Sequence, residues 1–395
     1  MTTAEFTAMT DLASRALGGS VAAASDELFA QRENLIRAEK PFFNPAEFGH
    51  KGKVYDGWET RRRRSAVPDP DARDYAIVRL GAAGIVHGLV VDTAYFKGNY
   101  PPFISVEAAS IEGYPDIDEV LKADWVTIVE KSPADGDTAN TYAVADRHRW
   151  THVRLSIYPD GGVARLRVHG EVLPDPRFLS GTVDLLAAET GGRLVGCSDA
   201  FYASPANIIL PGRARNMGEG WENARRRGAG NDYAVFALAA AGVPRYAEVD
   251  TSYYVGNAPG WVRLSTVDAR AANTDDPAAW TELLPRTAVQ PDTRHHFLLK
   301  ESPAATHLRL DVYPDGGLSR LRLVGDLDDT ALTHARRTWW DALPSGHQAQ
   351  LSDQSPTPAR SPPWPPPVPD TRSPSASTPP SAPAPPRTWP AQSPR

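Results

Sequence analysis

The chain is expected to be all-β: two tandem β-sandwich domains of the jelly-roll kind, followed by a disordered tail. Three observations carry that expectation. Most of the sequence is written twice, many short β-branched segments lie between turn residues, and the last forty or so residues have almost no aliphatic side chains. YDGWETRRRR at 55–64 returns as GEGWENARRR at 218–227, and VDTAYFKGN at 91–99 as VDTSYYVGN at 249–257. THVRLSIYPDGGVARLRVHG at 151–170 returns as THLRLDVYPDGGLSRLRLVG at 306–325. A repeat of roughly 155–163 residues is the size of a domain and far longer than a solenoid unit.

Each copy opens on a matching lead segment. Asp11, Gly18, Gly19, Ser25, Asp26, Asn34 and Ile36 meet Asp184, Gly191, Gly192, Ser198, Asp199, Asn207 and Ile209. Copy one therefore runs over 10–172 and copy two over 182–327. The strands expected in copy one are 74–80, 88–95, 102–110, 125–131, 152–158 and 164–170, separated by Gly, Pro and Asp. Short strands punctuated in this way suit a sandwich or jelly roll. Tyr158-Pro159-Asp160-Gly161-Gly162 reads as a hairpin turn, with proline and aspartate at the corners and glycine in the left-handed position. Around it, Val153, Leu155, Ile157, Ala164, Leu166 and Val168 are expected inward. His152, Arg154, Ser156, Arg165, Arg167 and His169 are expected outward. Two prolines in 173–181 mark the linker. The tail at 353–395 is Pro, Ser, Ala and Thr with scattered Arg. It cannot bury enough apolar surface to offset its ordering entropy. Its SPPWPPPVP stretch has the look of a ligand for aromatic grooves, against the plainer reading of a dispensable extension.

Composition narrows the classes of function. A net charge of −6 gives no bulk attraction to nucleic acid or anionic membrane. No apolar run approaches the ~18 residues of a membrane span, and the N-terminus has no secretory pattern. The single cysteine excludes an internal disulfide framework and a thiolate zinc cluster. A cytoplasmic, soluble protein is expected, with a homo-oligomer left open.

Three duplicated constellations could carry chemistry. In the first, Trp-Glu precedes an arginine run, with Glu59 followed by Arg61, Arg62, Arg63 and Arg64 and Glu222 followed by Arg225. Alternate arginines of an extended chain share a face, and guanidinium groups bind a carboxylate in a bidentate fork. A solvated edge strand with internal ion pairs is the plainer reading of the same run. In the second, strand-end Asp92 and Thr93 stand near Asn99, and Asp250 and Thr251 near Asn257. A strand-end Asp needs a partner, and an arginine of the run is the expected one. A loop pinned by Asp and Asn is the structural alternative. The third is His152 with its twin His307, each after a threonine, for which a structural role competes with catalysis. No His-x-His spacing argues for a metal, and no nucleophile elbow or phosphate loop is present.

Taken in order, LGG…ASDELFA, YDGWETRRRR, DYAIVRLG, VDTAYFKGNYPP, WTELLPRTAVQPDTRHHF and THVRLSIYPDGGVARLRVHGE resemble the allantoicase family over 10–327. The resemblance implies two galactose-binding-like jelly rolls and hydrolysis of allantoate to ureidoglycolate and urea in purine degradation. It departs at Tyr95, where the family pattern has histidine. Copy two is more eroded after Asn257, which places the working site mainly in copy one. In the mechanism this suggests, an arginine among Arg61–Arg64 clamps the substrate carboxylate. Glu59 or Asp92 activates water or handles the proton of the departing urea, with His152 as a further candidate. Thr93 and Asn99 bind the ureido group. No cofactor is required by the sequence, although a divalent metal could supply part of the polarisation. Two other readings stay open: a noncatalytic tandem binding module, and a hydrolase of a related ureide such as ureidoglycolate.

Overall fold

The structure, a computed structural model, describes residues 3–64 and 69–353. Beyond Asp353, the expected tail lies outside the described residues.

The first repeat is organised by one long strand, Asp74–Asp92, rather than the two expected at 74–80 and 88–95. Its first half pairs with Arg149–Tyr158 and Ser20–Ala24, and its second half with Arg165–Val172 and Ala139–Ala143, all antiparallel. Phe103–Ala109 and Val126–Pro133 continue the first layer, and Thr10–Asp11 edges the second. One strand thus passes from layer to layer, as in a sandwich whose corner is turned by a switching strand. The intervening Gly81 and Gly84 read as turn residues but serve close approach instead. A β-carbon on Gly84 would sit 2.0 Å from the Glu171 carbonyl oxygen, and one on Gly81 2.6 Å from the Gly19 amide nitrogen.

The expected hairpin is also different. Arg149–Tyr158 and Arg165–Val172 do not pair with each other, because the long strand lies between them. The Pro159–Gly162 turn is a crossover between layers, with a cis Tyr158–Pro159 bond. Alternation reports the face a side chain takes, not which strand its backbone bonds to.

The face assignments hold on the inside. Val153, Leu155, Ile157, Leu166 and Val168 are all 0% exposed and pack with Val78, Leu89, Val91 and Trp58 in one core. Full burial of each such side chain stabilises the fold by about 1.5–3 kcal/mol. Outside, the expectation fails for His152, Ser156 and Arg165, which are buried as well. The segment around residues 39–56 covers Arg165. Arg165 donates to the Glu39 and Asp56 carbonyls, each at 3.0 Å, and pairs with the Asp56 carboxylate at 2.7 Å.

The second repeat has the same strand order around Asp232–Asp250, with Asp250 opposite Arg320 as Asp92 is opposite Arg165. Its core gathers Trp221, Phe236, Leu264, Leu310 and Leu321. Leu17 and Ala82 of the first repeat belong to that cluster, so the repeats share apolar contact. A helix not foreseen from sequence, Asp329–Ala342, follows and packs on Asp232–Asp250. Asp328 caps it, accepting from the Ala331 amide at 2.6 Å. A further helix, Ser345–Asp353, ends the described chain. No helix among the described residues is long and apolar enough to cross a membrane.

Candidate active site

Three of the duplicated motifs meet at one end of the first sandwich. Trp58–Glu59 is a two-residue strand paired with Gly162–Val163, which brings Glu59 opposite Gly162. Trp58 is fully buried, and its indole donates to the Asp26 carbonyl at 2.7 Å, anchoring the strand. Gly162 in turn donates its amide to the Asn99 carbonyl at 2.7 Å. Asn99 then faces Glu59 and donates its side-chain amide to Oε1 at 2.7 Å. Burial pushes the Glu59 carboxyl above the usual carboxylate range, and the Asn99 hydrogen bond only partly opposes that.

The arginine run divides as an extended chain requires. Arg61 donates to Asp26 through its backbone at 2.7 Å and its Nε at 2.6 Å. Arg63 donates its backbone to Asp160 at 2.8 Å and pairs with buried Asp74 at 2.8 Å. Burial would raise the Asp26 carboxyl, but the Arg61 backbone and side-chain contacts outweigh it and leave it lowered. Arg62 and Arg64, on the opposite face, are exposed and have no hydrogen bond or ion pair among the described residues. Two arginines fasten the segment, and two guanidiniums stay available to an anion.

Other expected residues take structural positions. No arginine of the run pairs with Asp92. That carboxylate accepts from the Ala94 amide at 2.8 Å and begins the turn after the long strand. Asp26 and Asp74 hold Arg61 and Arg63 instead, and neither Arg62 nor Arg64 reaches Asp92. Thr93 is wholly buried, and its hydroxyl donates to the Asp135 and Thr138 carbonyls at 2.6 and 3.0 Å. It pins the loop instead of facing a ligand. His152 lies six residues before Tyr158 on its strand, about 20 Å along it from the Pro159 turn. It is 2% exposed and bonded to the Thr151 hydroxyl at 2.8 Å. Burial, helped by Arg79, lowers its pKa to about 4. A neutral, enclosed imidazole at that distance is not assembled with Glu59.

The loop after Thr93 holds Tyr95 at φ +71, a conformation that is uncommon for a bulky residue. The Asp137 carboxylate accepts its amide at 2.7 Å. Its exposed ring stacks on Phe43, which stacks on Tyr55, which stacks on Phe96, with centroids 4.7–5.6 Å apart. This aromatic flank was missed from the sequence. Phe43 lies in a loop that copy two lacks, and no local pattern ties it to Tyr95.

Copy two repeats the arrangement with changes. Asn257 donates to Glu222 at 2.8 Å, and Arg226 pairs with Asp232. Arg225, like Arg62, is exposed and has no partner among the described residues. Asp250 accepts from the Ser252 amide at 2.9 Å and Thr251 is fully buried, like their twins. Ala224 replaces Arg61, and the Asn257 amide also contacts the Met217 sulfur at 3.2 Å. The anchors Asp26, Asp74 and Asp160, with Asp199, Asp232 and Asp315, were legible only as repeated letters, without roles.

Around Glu59 there is one half-buried carboxylate held by the Asn99 amide. That donor set does not suit a divalent cation. Among the described residues no group of three or more His, Cys, Asp or Glu could hold one.

Comparison with known proteins agrees with this layout. A family model described as "Allantoicase repeat" matches residues 10–173 and 183–328. A probable allantoicase of Nocardia farcinica is 53% identical over 325 residues, 82% of this chain and 95% of that protein. The allantoicase of Dictyostelium discoideum is 38% identical over 329 residues, 81% of this chain and 88% of that protein. A crystal structure of allantoicase from Saccharomyces cerevisiae matches with a TM-score of 0.69 at 33% identity, covering 82% of this chain and 96% of that one.

Proposed function

The chain belongs to the allantoicase family, and on that premise we propose that it hydrolyses allantoate to ureidoglycolate and urea with the Glu59 end of the first repeat as its site. The net reaction breaks one bond between the central carbon and a ureido nitrogen. A water oxygen joins that carbon, one water proton stays on it as a hydroxyl, and the other goes to the departing nitrogen.

The observation that supports the site is the exposed Arg62, which has no partner among the described residues, in the segment that follows the Asn99-held carboxyl of Glu59. Arg62 takes the substrate carboxylate in a bidentate fork, which its neighbours cannot do while they hold Asp26 and Asp74. Glu59, with its raised carboxyl, gives its proton to the departing ureido nitrogen and takes one back from water. Asn99 fixes one oxygen of Glu59 and so aims the other. Asp92 and Thr93 position the loop that carries Asn99 rather than touching the substrate. The proposed compartment is the cytoplasm, and the proposed working form is a homo-oligomer, which light scattering of the purified protein would test.

The test is urea release from allantoate by the purified protein, with ureidoglycolate as the competing substrate. Release from allantoate that collapses in Arg62→Ala and Glu59→Gln supports both the reaction and the site. No release overturns the reaction. Release indifferent to both substitutions overturns the site.

A further inference from the structure

A cleft of about 680 Å³ is lined by residues of both repeats, and Glu59, Asn99 and Arg62 are not among them. Its volume is that of a small-molecule site. Five arginines line it: Arg15 and Arg37 from the first repeat, and Arg213, Arg215 and Arg320 from the second. Only two carboxylates, Glu39 and Glu219, stand against them. Both are already engaged. Glu219 accepts from Arg215 at 2.6 Å, and Glu39 lies 3.7 Å from Arg37. Arg37 also pairs with Asp56 at 3.2 Å.

Three guanidiniums are left without an acid partner. Arg15 donates to one carbonyl, that of Gly19, at 3.1 Å and is otherwise open. Arg213 is exposed and has no hydrogen bond or ion pair among the described residues. Arg320 is only 4% exposed and is held by the carbonyls of Gly212, Glu219 and Ser319 at 2.7–3.1 Å. No carboxylate among the described residues forms an ion pair with it. Burial and the neighbouring Arg322 lower the pKa of this guanidinium, and the nearby charges of Glu219 and Asp250 only partly oppose them. The cleft therefore concentrates positive charge between walls contributed by both repeats.

We propose that this cleft is a binding site for a compact multivalent oxyanion, of the pyrophosphate or tricarboxylate type, clamped between Arg15 of one repeat and Arg213 of the other. Allantoate, with its single carboxylate, matches the Arg62 site better than three unmatched charges. Guanidinium groups recognise phosphate and carboxylate oxygens alike, so the two sources are separated by experiment. A ligand held by both repeats stabilises their apposition by mass action.

The experiment uses the full chain, with thermal melting and calorimetric titration against pyrophosphate and, separately, citrate. Sodium chloride at matched ionic strength is the control. The expected result is saturable binding of one anion per chain with a rise in melting temperature that chloride does not reproduce. Arg15→Ala and Arg213→Ala should each weaken it roughly tenfold. Both residues are exposed and hold no part of the core, so the variants should fold. Arg62→Ala should bind pyrophosphate or citrate like the parent protein, which separates this site from the one proposed for allantoate. A shift equalled by chloride, or an affinity unchanged in the Arg15→Ala, Arg213→Ala double variant, overturns the proposal.

Discussion

Asn99 donates its side-chain amide to Glu59 at 2.7 Å across forty residues of chain, and Asn257 makes the same contact with Glu222 at 2.8 Å. The hydrogen bond favours the charged form of a carboxyl that burial pushes toward the neutral one. Removing it with Asn99→Ala should raise the Glu59 pKa further. The limb of the turnover–pH profile that reports Glu59 should move to higher pH, and turnover should fall by roughly tenfold or more through lost orientation. An unchanged profile would mean that Asn99 does not act on Glu59.

Arg62 and Arg63 are neighbours with opposite expected phenotypes. Arg62→Ala should lower kcat/KM by at least ~10²-fold, about 2.7 kcal/mol of transition-state stabilisation, with the melting temperature unchanged. Arg63→Ala strands the nearly buried Asp74 carboxylate and should destabilise the fold by about 3 kcal/mol. Denaturant unfolding beside urea-release kinetics separates the two. A stability loss in Arg62→Ala comparable to that of Arg63→Ala would remove the distinction.

Glu59→Gln should cost activity but not stability. The folded-state pKa lies above the unfolded one, so the folded state binds the proton more tightly. Stability from this group falls as pH rises from the ordinary carboxylate range through the raised pKa. Near neutral pH glutamine relieves that cost and still accepts from Asn99. The melting temperature of Glu59→Gln should then equal or exceed that of the parent, while turnover drops by at least ~10²-fold. A clear fall in melting temperature would show that the charged carboxylate supports the fold.

His152 should matter to acid stability and not to chemistry. Its folded pKa of about 4 lies below the unfolded value near 6.5, so the unfolded chain binds more protons between them. Stability is full above that window and is lost as pH falls through it, by up to about 3 kcal/mol. His152→Gln should flatten this part of the acid unfolding curve and keep most of the urea release at neutral pH. Loss of turnover in a variant with normal melting would return His152 to the candidate site.

Glu222→Gln and Arg225→Ala should reduce activity less than their first-repeat counterparts. The second site keeps its Asn–Glu contact, but Ala224 stands in place of Arg61, and the Asn257 amide is shared with Met217. Urea release from all four single variants decides this. A larger loss from the second-repeat pair would move the working site there.

The sequence by itself determined the class of fold, the doubling, and the residue types of the candidate site. Burial must alternate along a strand, so Val153, Leu155 and Ile157 announce a core face. In the same way, an extended arginine run must split into two faces, which puts Arg61 and Arg63 apart from Arg62 and Arg64. Duplication picked out Glu59 and Asn99, because both letters return in the second copy at Glu222 and Asn257. What only the tertiary structure decided is which groups meet. The carboxylate partners of Arg61 and Arg63 and the amide partner of Glu59 lie 35, 11 and 40 residues away, and the Glu39 and Asp56 partners of Arg165 more than a hundred. Such pairings depend on a single strand, Asp74–Asp92, crossing between layers, and a local pattern of side chains carries no record of that path. Likewise, only the folded chain shows that Asp92 binds the Ala94 amide, that His152 lies far along its strand from the Pro159 turn, and that five arginines from two repeats line one cleft.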